Sequence, residues 1–158
     1  MKRHHIQVHS YPAAQSKSKK MDRKALLFVH GAYTHSAYWQ FNFVPFFQRH
    51  GFDCFSVDLS GHGASGGRDS LDEFGIDDYT DDIAHAVRHI GQPVTIVGHS
   101  MGSLATERYL EKGSAQAAIF LAQVPTTGTT GSATQLAIRY PTYFQALEET
   151  ISGRFSPE

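Results

Sequence analysis

The sequence lacks the features that mark several specialised classes of protein. It contains one cysteine in 158 residues, so no disulfide framework can form within the chain. Its 14 Lys and Arg nearly balance its 15 Asp and Glu, which excludes a strongly basic nucleic-acid-binding chain. Because 41% of its residues are apolar, an intrinsically disordered polypeptide is excluded as well. We therefore expect one ordinary soluble domain with no nucleic-acid partner.

Long apolar runs are also absent. Runs such as 25–29 and 117–122 are far shorter than the roughly 20 residues that span a bilayer. The first 24 residues hold seven basic residues and one acidic residue, but no apolar stretch typical of a secretory signal. We interpret the Ser/Lys-rich stretch at 16–22 as a solvated loop and assign it no partner. These observations predict no transmembrane segment and a cytoplasmic location.

Apolar strand patterns alternate with helical patterns along the chain. An alternating segment at 6–11 predicts a peripheral strand, and continuous apolar runs predict buried strands at 25–29, 52–59, 94–97 and 117–124. Helical spacing predicts helices at 36–50, 77–90, 101–112 and 132–151, with Pro45 as a point where the first can break into two pieces. This alternation predicts an α/β fold, a mostly parallel sheet with helices on both faces.

The sharpest chemical signal is the sequence Gly98-His99-Ser100-Met101-Gly102, which lies between a predicted strand and a predicted helix. A nucleophilic serine on such a turn projects its hydroxyl above the sheet, and the flanking glycines let the neighbouring backbone approach closely. The start of the following helix directs N–H groups toward a developing oxyanion. We therefore predict that Ser100 is a nucleophile, with a helix N-cap as its alternative role.

A second signal, His30-Gly31-Ala32, directly follows the first buried strand. A serine hydrolase needs a second backbone N–H donor beside the one that follows its nucleophile, and losing one such donor typically costs about 3 to 4 kcal/mol of transition-state stabilisation. We predict that the N–H groups of Ala32 and Met101 are these two donors. His30 is interpreted as a residue that hydrogen-bonds to nearby backbone and holds the loop, with proton transfer as the alternative.

These motifs resemble those of the α/β-hydrolase superfamily, and more narrowly its Gly-His-Ser-Met-Gly esterases, lysophospholipases and monoacylglycerol lipases. The resemblance covers about residues 24–125, and includes a third motif at 58–65 that is similar to the superfamily's structural Asp-x-x-Gly-His-Gly-x-Ser loop. It implies an acyl-enzyme at Ser100, an oxyanion hole at Ala32 and Met101, no cofactor, and a small ester or lipid substrate such as a lysolipid or a monoacylglycerol. The segment 126–158 is then the start of a cap over the acyl pocket.

The pattern departs from the superfamily after the nucleophile. The triad order in this fold is nucleophile, acid, histidine, yet all ten histidines lie at or before His99 and no Asp follows Ser100. Without a base a serine hydroxyl is a weak nucleophile, so we expect little or no ester turnover from this chain alone. We interpret 1–158 as a single partial domain, the N-terminal part of a hydrolase of about 250 residues or more, which lacks the C-terminal strands of the sheet.

Two other interpretations stay open. In one, the chain is a non-catalytic binding or interaction module that keeps the Ser100 pocket without its chemistry. In the other, it is one half of a split enzyme, in which another chain or a swapped copy supplies the acid and the histidine. The sequence does not determine the oligomeric state.

The remaining reactive side chains receive no chemical role. Cys54 lies within a predicted strand and is interpreted as a core residue. The histidines His4, His5 and His9 lack cysteine or carboxylate partners at ligand spacing, so we predict no metal site. The aromatic residues between 38 and 47 are interpreted mainly as core, with the lining of an acyl pocket as the alternative.

Overall fold

A computed structural model of the chain describes residues 4–14, 24–128 and 130–151. The loop predicted at 16–22 lies outside the described residues. The chain divides into two compact units between Gln123 and Val124. The first unit holds the sheet and all three sequence motifs, and the second holds two helices.

A five-stranded sheet forms the centre of the first unit. Its strands are β1 (Val8–Tyr11), β2 (Ala25–Val29), β3 (Asp53–Val57), β4 (Val94–His99) and β5 (Ala117–Leu121). The spatial order is β1-β3-β2-β4-β5, so β2 is central and lies between β3 and β4. All neighbouring pairs are parallel except β1 with β3, which is antiparallel. The predicted mostly parallel α/β sheet is therefore confirmed.

The helices of the first unit follow the predicted order. They are a 3₁₀ helix at Ser36–Gln40, α1 (Phe43–Arg49), a second 3₁₀ helix at Arg68–Glu73, α2 (Ile76–Ile90) and α3 (Met101–Leu110). The helix predicted over 36–50 is thus divided into two pieces. Pro45 lies in the first turn of α1, where a missing backbone N–H breaks no intrahelical hydrogen bond.

Helices cover both faces of the sheet, as the alternating pattern predicted. On one face, α2 and α3 pack on the central strands through buried residues that include Leu27, Ile83 and Ile96. On the other face, Trp39 and neighbouring residues of the 3₁₀ helix and α1 pack against β2, β3 and β4. Cys54 belongs to this second cluster and is fully buried, and burial raises the pKa of its thiol to about 12. It is a core residue, as predicted.

The strand β5 differs from its prediction. The apolar run at 117–124 predicted a buried strand, but β5 ends at Leu121 and lies at the edge of the sheet among the described residues. Ile119 is 47% exposed and Phe120 is 38% exposed, and these two side chains point to opposite faces. The sequence also predicted a sheet that lacks its C-terminal strands, and among the described residues no strand pairs with the outer side of β5, which leaves its side chains partly exposed.

The second unit contains two consecutive helices, α4 (Thr130–Arg139) and α5 (Pro141–Ile151). Proline stands at the first position of α5, where its fixed φ and missing N–H are well tolerated. Large apolar side chains of this unit are exposed, namely Ile138, Tyr140, Tyr143 and Leu147. Within residues 4–14, 24–128 and 130–151, no helix is both long and apolar enough to cross a membrane.

Candidate functional site

Two neighbouring parallel strands bring the two sequence motifs together. In the register of β2 with β4, Val29 pairs with Gly98, so the chain leaves both strands at the same edge of the sheet. A Cβ atom built on Gly31 would lie 3.0 Å from Cβ of Ser100 and 3.1 Å from Nδ1 of His99. The loop after β2 therefore lies directly against the serine, and any residue larger than glycine at position 31 would make a tight contact there.

The serine turn has the strained backbone of a sharp strand-to-helix junction. Ser100 adopts φ 53° and ψ −118°, a conformation that a residue with a side chain rarely adopts. Its backbone N–H donates to the carbonyl of Leu121 at 2.9 Å, which ties the turn to the end of β5. Ser100 occupies the N-cap position of α3, and its backbone carbonyl accepts the N–H of Ser103 at 3.0 Å. Its side chain makes no capping hydrogen bond, so capping by the hydroxyl is not observed.

The glycines of this motif are required by close packing. A Cβ on Gly98 would lie 2.7 Å from the carbonyl oxygen of Gly102, inside the first turn of α3. A Cβ on Gly102 would collide with the carbonyl oxygens of Val29 and His30. These two glycines therefore let α3 begin directly against the end of β2, which holds the serine beside the loop after β2.

Two backbone N–H groups beside Ser100 are available to a ligand. Met101 is the first residue of α3, so its N–H has no acceptor within the helix. In the part of the chain that the structure describes, neither this group nor the N–H of Ala32 donates to a protein acceptor. The N-terminus of a helix also attracts negative charge. These two groups were assigned to an oxyanion hole from the sequence, and that role stays a prediction.

His30 holds the loop after β2. Its ring is fully buried, its Nδ1 donates to the carbonyl of Gly31 at 2.7 Å, and its Nε2 accepts the N–H of Leu59 at 3.0 Å. Burial lowers the pKa of His30 to about 4, so the ring is neutral near pH 7. Both ring nitrogens are occupied by backbone groups, an arrangement that suits a loop-holding residue and leaves neither nitrogen for proton transfer with Ser100.

The loop after β3 is held by a buried carboxylate. Asp58 accepts the N–H of Ser36 at 2.8 Å and the N–H of Ala64 at 3.0 Å, and Nε2 of His9 lies 3.0 Å from Oδ2. Burial alone would raise the pKa of Asp58, but the hydrogen bonds from Ala64, Ser36 and His9 outweigh it and lower that pKa to about 2. Asp58 thus binds three segments that are separate in sequence, through His9, Ser36 and Ala64.

The N-terminal histidines have partners that sequence reasoning missed. His9 contacts Asp58, and Nε2 of His4 lies 2.8 Å from the hydroxyl of Ser60, which itself donates to Asp82. The antiparallel pairing of β1 with β3 places these side chains there, and no local sequence signal shows which strand a terminal segment will join. Among the described residues, no group of three potential ligands is arranged to hold a metal ion.

The aromatic residues between 38 and 47 divide into two groups. Trp39 is fully buried against Phe28, with ring centroids 5.0 Å apart, and belongs to the core. Tyr38 is 48% exposed and stacks on the ring of His99, the residue before the serine, with centroids 6.0 Å apart. Tyr38 is therefore the aromatic residue of this segment that lies beside the site and is also accessible.

The site contains no triad partner for its serine within the described residues, where no side chain hydrogen-bonds to the Ser100 hydroxyl. The carboxylates nearest after it in sequence have other contacts: Glu107 accepts from Gln123, and Glu111 pairs with Arg108 on the exposed surface of α3. Within the described residues, the arrangement therefore comprises a strained serine turn and two backbone N–H groups without a protein acceptor, and no side chain there hydrogen-bonds to the serine hydroxyl.

The sequence of the chain was compared with models of protein families and with curated protein sequences. The sequence model of the Alpha/beta hydrolase family matches residues 26–157. No curated protein sequence matches the chain.

Many solved structures share the fold. An esterase from Exiguobacterium antarcticum is 18% identical with a TM-score of 0.63, over 76% of this chain and 42% of the esterase. A bromoperoxidase from Bacillus anthracis is 24% identical with a TM-score of 0.61, over 77% of this chain and 41% of that protein. A monoacylglycerol lipase from Paleococcus ferrophilus is 18% identical with a TM-score of 0.59, over 88% of this chain and 52% of the lipase. The chain thus spans about half the length of these proteins.

Proposed function

The chain belongs to the alpha/beta hydrolase family, and we propose that it carries the nucleophile and the oxyanion hole of a serine hydrolase that cleaves carboxylic esters. The observation that carries this proposal is the backbone of Ser100. A serine held at φ 53° costs about 1 to 3 kcal/mol of strain, and its hydroxyl makes no structural hydrogen bond that would explain the cost. Strain of this kind is retained where a side chain must be presented to a ligand.

The proposed reaction proceeds through an acyl-enzyme. The Oγ atom of Ser100 attacks the ester carbonyl carbon while a base takes the hydroxyl proton, and the carbonyl oxygen becomes an oxyanion. The N–H groups of Ala32 and Met101 donate to this oxyanion. Collapse of the tetrahedral intermediate breaks the bond to the alcohol, which leaves with a proton from the protonated base. Water then attacks the acyl-serine by the same steps and releases the carboxylic acid.

The base and its supporting acid are proposed to come from outside these 158 residues. No histidine and no Asp follow Ser100, and His30 uses both ring nitrogens for backbone contacts. Further residues of the same polypeptide, or a partner chain in a split enzyme, are the two proposed sources. We accordingly expect little or no ester turnover from the 158-residue chain alone.

Carboxylic esters are the proposed substrate class. Lysolipids and monoacylglycerols are the first esters to test, since one protein of the same fold is a monoacylglycerol lipase. Tyr38 and His99 offer aromatic surface beside Ser100 against which an apolar part of a substrate can pack.

Chemical rescue tests the proposed role of Ser100. Because a base is the missing part, added imidazole is expected to accelerate hydrolysis of p-nitrophenyl butyrate by the 158-residue chain beyond its own background reaction with the ester. Ser100→Ala is expected to abolish this protein-dependent part, while Ser114→Ala, an exposed serine elsewhere, is expected to retain it.

Two results would contradict the proposal. Equal imidazole-dependent rates for wild type and Ser100→Ala would exclude Ser100 as the nucleophile. Saturable binding of the ester without any acylation of Ser100, with or without imidazole, would favour the binding-module alternative.

A further inference from the structure

We propose that Thr34 is a positioning residue that keeps the Ala32 N–H directed toward Ser100, an inference that rests on the proposed oxyanion hole. Thr34 does not touch this N–H group. It acts on the other end of the same peptide unit, the carbonyl of Gly31, to which its hydroxyl donates at 3.1 Å. Because a trans peptide unit is planar, its carbonyl and its N–H point in opposite directions, so fixing one end fixes the other.

The Gly31 carbonyl accepts hydrogen bonds from two side chains. Nδ1 of His30 donates at 2.7 Å and Oγ1 of Thr34 at 3.1 Å. The His30 ring is itself fixed, since its Nε2 accepts the N–H of Leu59, the second residue after β3. The carbonyl is therefore directed toward the β3 side of the central strand β2.

The topology of the sheet then gives the direction of the Ala32 N–H. The strands β3 and β4 lie on opposite sides of β2, and Ser100 follows β4. With the Gly31 carbonyl on the β3 side, the N–H of Ala32 faces the β4 side, where the serine turn lies against Gly31. Rotation of this peptide unit would instead present a carbonyl oxygen to the oxyanion, which would repel it.

The peptide unit needs such a constraint because of its neighbours. Gly31 has no Cβ, so its backbone is freer to rotate than that of other residues, and a Cβ there would make tight contacts of 3.0 Å with Ser100 and 3.1 Å with His99. Tyr33, which follows Ala32, adopts φ 61° and is 77% exposed, so it offers no packing that would hold the loop. Hydrogen bonds to the carbonyl are thus the contacts that select one orientation, and Thr34 supplies one of the two.

The test removes the hydroxyl without changing the shape of the side chain. Thr34→Val lacks the donor, and Thr34→Ser keeps it. The ¹³C resonance of the Gly31 carbonyl, measured in the 158-residue chain, is expected to move to lower frequency in Thr34→Val and to keep its position in Thr34→Ser. Thr34→Ala provides a second variant without the hydroxyl, and thermal melting confirms that each variant is folded.

Binding of phenylboronic acid reports the orientation of the N–H. The Ser100 oxygen adds to boron and its proton passes to the buffer, which gives a tetrahedral boronate whose negative oxygen needs the oxyanion donors. Loss of one hydrogen bond to the Gly31 carbonyl is expected to weaken this binding about 3- to 10-fold in Thr34→Val. Thr34→Ser is expected to bind as wild type does, and Ser100→Ala not at all.

The outcomes separate this inference from the proposed function. If wild type binds the boronic acid and Thr34→Val binds it equally well, Thr34 has no positioning role, whatever happens to the carbonyl resonance. If the carbonyl resonance is unchanged in Thr34→Val, the hydrogen bond itself is refuted. If wild type does not bind the boronic acid, the proposed oxyanion hole is refuted, and the positioning role of Thr34 is refuted with it. The carbonyl resonance then still shows whether the Thr34 hydroxyl donates to the Gly31 carbonyl.

Discussion

The loop after β3 and the turn after β4 both begin at the same edge of one sheet, but they differ in how their polar groups are hydrogen-bonded. In the loop after β3, the buried carboxylate of Asp58 binds Ser36, Ala64 and His9, and the buried Ser60 binds Asp82. In the turn after β4, the Ser100 hydroxyl has no partner among the described residues, and its backbone is strained. Polar groups that are buried and satisfied belong to the scaffold, whereas a strained group left unsatisfied points to a site.

The largest expected effect lies in the scaffold loop. Asp58→Ala leaves the buried N–H group of Ser36 and the partly buried N–H group of Ala64 without their acceptor, so we expect the free energy of unfolding to fall by about 4 kcal/mol. Urea denaturation measures this change.

Asp77→Ala is the matched control for Asp58→Ala. Asp77 is an exposed carboxylate paired with Arg108, and its loss is expected to cost less than about 1 kcal/mol. Equal effects of the two variants would remove the distinction between a scaffold carboxylate and an ordinary surface one.

An intermediate effect is expected when the pH is lowered, because protonation of His30 lowers the free energy of unfolding. Burial lowers the pKa of His30 from 6.5 to about 4, so the unfolded chain takes up this proton more readily than the folded chain. The stabilisation is complete above pH 6.5 and is lost as the pH falls to about 4, a loss of about 3 kcal/mol.

Unfolding free energies between pH 7 and pH 4.5 check this expectation. His30→Asn is expected to flatten the slope, whereas His89→Asn, at an exposed position of α2, is expected to retain it. A wild-type slope that His30→Asn leaves unchanged would show that another group causes the acid sensitivity.

The smallest expected effect has the opposite sign and lies in the serine turn. Ser100→Gly removes the strain of a positive φ, and this gain exceeds the greater flexibility of glycine in the unfolded chain, so we expect stabilisation by about 1 kcal/mol. Ser114→Gly, at a position without a positive φ, is expected to destabilise by about 0.5 to 1 kcal/mol. Thermal unfolding of both variants measures the difference, and destabilisation by Ser100→Gly would show that the turn is not strained.

Most of the fold was predictable because its signals are local. Continuous apolar runs predicted β2, β3 and β4, and glycines predicted the helix ends, including Gly91 after α2. The meeting of Gly31 with Ser100 was also predictable, since adjacent parallel strands end at one edge of the sheet. These features depend on residue spacing and on simple geometry.

The remaining features depend on which segments become neighbours. The partners of His4 and His9 follow from the pairing of β1 with β3, which residue spacing does not encode. The donation from Thr34 to Gly31 depends on the backbone conformation of a loop, with a positive φ at Tyr33, for which the sequence offers no glycine as a signal. The contacts that hold the loop after β2 were therefore harder to predict than the position of the serine turn.

The proposed nucleophilic role of Ser100 is tested most directly by treating the 158-residue chain with a fluorophosphonate, with imidazole present as the base. Peptide mass spectrometry then locates the adduct. We expect one adduct, on Ser100, that is lost in Ser100→Ala and retained in Ser114→Ala. An adduct on another serine, or no adduct on a folded chain, would contradict the claim that the turn after β4 presents a nucleophile.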